Sequence, residues 1–355
     1  MRNRDRRVPK AGVCARLALF PLLLCLSAVA RLTNASDPAA NFRSFQQPDM
    51  SLAFLTDDLA VSGYQGCDAM AVFDVSAQAV IYYGDQHISP GQLALAPDGS
   101  MAVAPAFNGG IFTYIIRRSP SGCWTTAKID DTRRPAQLLQ GGAAAITPDG
   151  ISLLLPIESG VERYLLDNIT DTGLGPVVGT AVTAGAGAMD VSADSKTAYV
   201  VGIDHKVYII DIDTMKVIGE PITIAFPQYN DVKTLRRMFA SISPDGRFLV
   251  VNTIAESMNV IDMTSRTNSV VPLDGLRHSW GVRFNHAPQH AGLLAVHGGN
   301  KIGVYRFAES EAPNLLASAD VPSQDINTAR ANVLGWTARG DQIIAAIQQG
   351  RLDWR

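Results

Sequence analysis

No sign of charge dominates this chain. Its 30 lysines and arginines face 33 aspartates and glutamates, for a net charge of -3 and a pI near 6.1. Generic nucleic-acid binding needs a basic surface, so that class is excluded and any basic site must be local. A haem-attachment Cys-x-x-Cys-His is also missing, which argues against covalent c-type haem and leaves other cofactors open. Glycine pairs at Gly141-Gly142 and Gly185-Ala-Gly187 precede apolar runs rather than helices, so they are not phosphate cradles. Ser159-Gly160 lacks the strand-to-helix elbow of a hydrolase nucleophile. What remains is 47% hydrophobic and 18% charged over 355 residues, which describes a folded chain with a substantial core.

The N-terminus reads separately. Arg2, Arg4, Arg6, Arg7 and Lys10 precede an apolar run from Leu17 to Ala30 that ends in Ala28-Val29-Ala30. A basic head, a short apolar stretch and a small-x-small end are the parts of a secretory signal cut after Ala30. The run is short for a membrane span and is interrupted by Pro21, which makes an uncleaved anchor the weaker alternative. After cleavage no membrane span is expected, and the protein would be secreted or periplasmic. Cys14 and Cys25 lie within this leader, leaving Cys67 and Cys123 in the mature chain. A cysteine pair in an exported protein invites a bridge. Their expected places at opposite ends of a strand argue against one unless an irregular loop intervenes. That pairing stays open.

Seven times between Asp57 and Asp341 an apolar run meets an Asp- or Gly-containing turn and a second apolar run follows. Leu93-Ala-Leu-Ala-Pro-Asp-Gly99, Ala144-Ala-Ile-Thr-Pro-Asp-Gly150 and Ala240-Ser-Ile-Ser-Pro-Asp-Gly246 are the clearest copies. Fainter ones centre on Asp57-Asp58, Ala193-Asp194-Ser195, Asn285 to His290 and Arg339-Gly340-Asp341. Successive turns are roughly 41 to 53 residues apart, the period of a four-stranded propeller blade. In the copy from Phe239, the pattern predicts strands over Ala240 to Ser243, Arg247 to Thr253, Met258 to Asp262 and Ser269 to Leu273. Third strands end repeatedly in apolar-apolar-Asp, as in Ile209-Ile210-Asp211 and Val260-Ile261-Asp262, where the Asp suits an Asx-type turn.

Ser243-Pro-Asp-Gly-Arg-Phe-Leu-Val-Val-Asn252 with Asn259-Val-Ile-Asp262 resembles the YVTN family of β-propeller repeats. Ser192-Ala-Asp-Ser-Lys-Thr-Ala-Tyr-Val-Val201 with Val207-Tyr-Ile-Ile-Asp211 is similar, and the strong matches run from about residue 90 to 275. The resemblance implies an all-β, seven-bladed propeller of four-stranded antiparallel blades. It leaves activity open, because that family includes surface-layer repeats, lactonases and relatives of quinoprotein dehydrogenase heavy chains. The expected organisation is a leader over 1–30, a segment over 31–50 that closes the last blade, and the propeller over 51–355. Phe42 and Phe45 lie in the stretch that would supply the missing outer strand. A plain linker there is the alternative.

A four-stranded blade gathers its second-to-third loops and blade connections at one end, around the channel mouth, with the Asp-Gly turns at the other. The mouth set includes Glu158, His205, Arg236, Arg237, Glu256, Arg277, His278, Trp280, His297 and Arg330. Arginines there suit a carboxylate or phosphate, and histidines suit acid-base work near neutral pH. Solvated loop polarity explains many of them equally well. Residues Phe226 to Met238 form the longest connection and carry aromatic and charged side chains together; Arg277-His278-Ser279-Trp280 follows as second choice. His286 and His290 have the spacing of paired metal ligands, but Pro288 removes the helix that would align them, so no metal is expected. The leading expectation is an exported propeller that binds a small anionic ligand or a partner protein at its mouth without catalysis. A lactonase-like hydrolase or another propeller enzyme using Glu, His and Arg at the mouth is the first alternative, and a dehydrogenase-like subunit or cofactor-assembly scaffold the second.

Overall fold

A computed structural model describes residues 28–29, 43–44, 49–54, 59–64, 69–74, 79–83, 93–105, 112–130, 143–225, 238–253, 256–273, 275–276, 279–298, 301–308, 311–320, 330–336, 339–341 and 343–348. The chain is all-β and propeller-like. Consecutive strands pair antiparallel into sheets spanning 49–83, 94–130, 145–182, 186–223, 239–272 and 279–320. Five of these have four strands. In the 186–223 sheet the outer position is shared by Lys216–Val217 and Ile222–Thr223, which both pair with Lys206–Asp211. Arg330–Trp336 and Ile343–Gln348 form a further antiparallel pair.

Burial follows position within a sheet. Second strands such as Met101–Pro105 and Phe248–Asn252 are buried almost throughout, because other sheets cover both faces. Outer strands such as Val177–Val182 alternate between exposed and half-buried residues over most of their length, as a strand with one wet face does. The core therefore lies between sheets. Val103, Ile115, Leu153 and Tyr164 join the second and third sheets, and Leu154, Val161, Val200 and Ile210 join the third and fourth. Equivalent clusters join the first to the second, the fourth to the fifth and the fifth to the sixth. Arg330–Trp336 lies against both Ser279–Phe284 of the sixth sheet and Asp49–Phe54 of the first.

The strands expected from the Phe239 copy are found at Phe239–Ile242, Phe248–Asn252, Ser257–Asp262 and Thr267–Pro272. Its turn is built as the residue types dictate. Asp245 accepts the Ser243 hydroxyl at 2.5 Å and the Arg247 N–H at 3.1 Å, while Gly246 takes φ 73°. Asp149 and Asp194 repeat this pattern, and Asp98 accepts both the N–H and the hydroxyl of Ser100. Where the fourth sheet has Ser195 in place of glycine, φ is still 64°, and the Ser195 hydroxyl accepts the N–H of Asp149 from the neighbouring turn at 2.9 Å. The third-strand aspartates also act as expected. Asp211 accepts the Thr214 N–H and hydroxyl, and Asp262 accepts the N–H groups of Thr264 and Ser265. The Asp57-Asp58 turn lies outside the described residues.

Three arginines tie neighbouring sheets together, a device the sequence did not announce. Arg117 donates to the Ile169 carbonyl at 2.7 Å and lies 3.7 Å from Asp171. Arg163 repeats this one sheet later, with the Ile212 carbonyl at 2.8 Å and Asp213 at 3.6 Å. Arg266 reaches back to the Glu220 carbonyl at 2.5 Å.

At the N-terminus, Ala28–Val29 pairs with Arg43–Ser44 and lies against Ile343–Gln348. The first strand of the first sheet begins at Asp49, two residues ahead of the expected boundary at 51. Cys123 is disulfide-bonded, and it sits in the hairpin that joins Phe112–Arg118 to Trp124–Asp130. Cys14, Cys25 and Cys67 all lie outside the described residues.

Candidate functional site

Register places the second-to-third loops beside the connections that follow each outer strand, and the same backbone bond recurs there. The Ser159 carbonyl accepts the Thr183 N–H at 2.9 Å, the His205 carbonyl accepts Ile224 at 3.0 Å, and the Glu256 carbonyl accepts Leu273 at 2.9 Å. Ser159, His205 and Glu256 are thus equivalent positions in three successive sheets, all at the end opposite the Asp-Gly turns. A carbonyl and an N–H that satisfy each other fix the loop, which leaves the side chain at that position to vary.

Glu158 and Glu256 are exposed, and His205 is half-buried. The turn before Gly160 is pressed against its neighbour: a Cβ on Gly185, which has φ 79°, would come within 2.9 Å of the Glu158 carbonyl. His205 is held at φ 63° by a bond from its N–H to the Gly202 carbonyl. Beside it, Asp204 accepts the Tyr208 hydroxyl at 2.7 Å and lies 3.6 Å from the Lys206 ammonium. Desolvation first, and then the Asp204 carboxylate, push the Tyr208 phenol up to about 12. Tyr208 is therefore a hydrogen-bond donor at neutral pH and not a base.

His297 departs from its expected place. It belongs to Leu293–Gly298, is 0% exposed, and burial lowers its pKa to about 3. A neutral imidazole inside a sheet cannot meet a ligand from solvent. The strand ends one residue after it, so the sequence put the right strand near the loop but turned the side chain inward. Trp280 and Arg330 lie on the strands Ser279–Phe284 and Arg330–Trp336, at the same end as the loops above; only their backbones are described. Arg236, Arg237, Arg277 and His278, with the connection from Phe226 to 237, lie outside the described residues. His286 precedes the 3-10 turn Pro288–His290 and His290 ends it, and among the described residues no group of three or more His, Cys, Asp or Glu could hold a metal ion.

A second cluster, which sequence reasoning missed, lies at the Asp-Gly end. Asp190 accepts the Ile242 N–H of the next sheet at 2.9 Å and faces the Arg283 guanidinium at 3.9 Å. His286 stands near both. Protein crowding lowers its pKa, the Asp190 charge raises it, and the Arg283 charge lowers it again. These residues come from inner strands or the turn after one, and no spacing in the sequence links them.

No protein-family model matches this chain, and no curated protein matches its sequence. Among solved structures, Kuenenia stuttgartiensis hydrazine synthase is similar, with a TM-score of 0.61 and 12% identity, over 86% of this chain and 96% of that one. At that identity the likeness bears on architecture alone, and it agrees with an all-β, propeller-like fold.

Proposed function

We propose that this chain is an exported protein whose YVTN-like sheets close a seven-bladed ring, and that the end opposite the Asp-Gly turns binds a ligand or a partner protein without catalysis. The equivalence of Ser159, His205 and Glu256 carries this reading. One backbone bond holds three loops at one end, while their side chains differ in charge and hydrogen-bonding capacity. A scaffold that repeats its backbone and varies its rim is built for recognition. Contact of Arg330–Trp336 with both the sixth and the first sheet supports closure. The disulfide at Cys123 supports an oxidising compartment outside the cytosol.

The ligand's charge sign rests on two sets of side chains. Arg236, Arg237, Arg277 and Arg330 favour an anion, the reading preferred here, whereas Glu158 and Glu256 are exposed carboxylates that favour a cation. Native mass spectrometry of the protein purified from its own host separates them. Arg236→Ala with Arg237→Ala is expected to lose a co-purifying anion or partner, and Glu158→Gln with Glu256→Gln to keep it. His205→Asn, which tolerates the left-handed backbone, should weaken retention without unfolding. Retention unchanged in all three variants would overturn the proposed site.

A further inference from the structure

The outer strand of a sheet leaves one row of backbone N–H and C=O groups without a neighbour, a standing template for another chain. Most of the described outer edges carry something that blocks such pairing. Trp124–Asp130 of the second sheet bears exposed Lys128 and Asp130. The fourth sheet splits its outer position between two short pieces. In the fifth, the Leu273 N–H turns inward to the Glu256 carbonyl, so Pro272 faces outward and has no N–H to offer. Glu311, Pro313 and Asp320 guard the sixth. A bulge at Ile81 breaks Ala79–Tyr83 of the first sheet in its middle.

Val177–Val182 of the third sheet is different. No charged residue occurs from Thr172 to Met189, and Pro176 lies ahead of the strand. Its bulge falls at Val178, near the start, and leaves Gly179 to Val182 in regular register with Arg163 to Gly160. The Thr183 N–H turns inward to the Ser159 carbonyl, so by alternation Val182 and Thr180 turn their N–H and C=O outward. Both side chains are exposed, and Val182, at 73%, is the most exposed large hydrophobic residue described. The strand is also backed closely. A Cβ on Gly160 would collide with the Ala181 carbonyl, and one on Gly179 would come within 2.6 Å of Met215 Cγ in the fourth sheet. An edge held this way is presented in one shape, so pairing it costs little ordering.

Two copies of this edge complement each other. Antiparallel pairing about a two-fold axis beside Ala181 sets Thr180 of one copy against Val182 of the other, and the reverse, with each pair exchanging N–H···O=C bonds. No like charges meet, and the exposed valines are covered. A shifted register brings in the bulged Val178 or runs past the end of the strand. We propose that a second copy of this chain pairs with the Gly179–Val182 edge and joins the two third sheets into one. The contact is smaller than the roughly 800 Å² per partner of a standard interface, so the dimer forms in the micromolar range. None of the rim side chains lies on this edge, so loss of pairing leaves retention at the rim unchanged.

Sedimentation velocity of the full protein from about 1 to 300 µM tests the pairing, and the mass should rise from one copy towards two. Thr180→Lys and Val182→Asp lie at exposed positions and should keep the parent's melting temperature. Each should raise the dimer dissociation constant at least about tenfold, because every change is felt twice across the two-fold axis. Thr180→Lys combined with Val182→Asp sets opposite charges against each other and should return to within about threefold of the parent. Amide exchange gives a readout that needs no variant. The Thr180 and Val182 N–H groups should exchange more slowly at high concentration, while that of Ala181, which faces into its own sheet, should not change. A monomer throughout the range, including one that keeps this edge for a different protein, would overturn the proposal. So would a dimer indifferent to both single changes, or Thr180 and Val182 amides whose exchange ignores concentration.

Discussion

Asp190 and Arg283 stand on inner strands of the fourth and sixth sheets, yet their charged groups approach to 3.9 Å. The sheet between them joins the contact, since Asp190 also accepts the Ile242 N–H. The Arg283 carbonyl in turn accepts the Trp336 indole N–H, at 2.9 Å, from the strand pair beyond. Elements from four successive repeats thus converge on one place. Inner strands of alternate sheets therefore come within reach of one another at this end.

Asp190 is therefore expected to matter more than an ordinary surface acid. Its side chain is 14% exposed, and removing it leaves the Ile242 N–H unpaired. Asp190→Ala should cost roughly 1–3 kcal/mol, the usual penalty for an orphaned buried donor. Arg283→Ala, which removes a side chain that is itself half-exposed, should cost less than about 1 kcal/mol. Chemical denaturation of both variants checks the order; equal losses would mean the axial contact is no more than a surface pair.

His297 makes stability depend on pH. Its folded pKa of about 3 lies below the ordinary imidazole value of about 6.5, so below pH 6.5 the unfolded chain takes up a proton that the folded one refuses. The stabilisation is fully present above about pH 6.5 and is lost as pH falls towards 3, by up to about 1.4 kcal/mol per pH unit. His297→Leu should flatten unfolding free energy between pH 6 and 4, relative to the parent, by roughly that slope. An identical pH profile in both proteins would show that His297 titrates freely.

Ser195 is held in a left-handed conformation and uses its hydroxyl on the adjacent turn. Ser195→Ala keeps the backbone strain and loses the bond, so it should destabilise by about 1–2 kcal/mol. Ser195→Gly loses the same bond but relieves the strain, and should come out within about 0.5 kcal/mol of the parent. Thermal melts of the pair test this; a glycine variant weaker than the alanine one would refute the compensation.

What was legible in the sequence followed from local chemistry. Pro244-Asp-Gly246 marked a turn because Asp bonds its own following N–H and Gly accepts positive φ, and that turn stands where the pattern put it. Strand ends near Phe239 were found within one or two residues for the same reason. Where a strand ends was not legible to the residue. Leu293–Gly298 is a second strand buried on both faces, so its extension over His297 puts the imidazole in the core whichever face it takes. Nor were the contacts of Asp190 with Arg283, or of Arg117 with Ile169, because each joins elements whose nearness depends on how sheets stack.

The N-terminus and Cys123 give the last prediction. On the proposal that the chain is exported, cleavage after Ala30 would remove Ala28–Val29, the strand that pairs with Arg43–Ser44 and lies against Ile343–Gln348. The edge of Ile343–Gln348 would then need another segment to cover it, and the stretch ahead of Asp49 is the one proposed to do so. Deleting residues 36–48, which spares the strand from Asp49, should lower the melting temperature of the mature protein by about 2 °C or more, as losing about 1–2 kcal/mol does in a domain of this size. Non-reducing peptide mapping settles the companion question. If the leader is cut, a Cys123–Cys67 peptide is expected, since Cys67 is then the other cysteine left in the chain. A bridge from Cys123 to Cys14 or Cys25 would show that the leader is retained, and with it the strand at Ala28–Val29. In that case the deletion should leave the melting temperature nearly unchanged, because the retained strand still covers Ile343–Gln348.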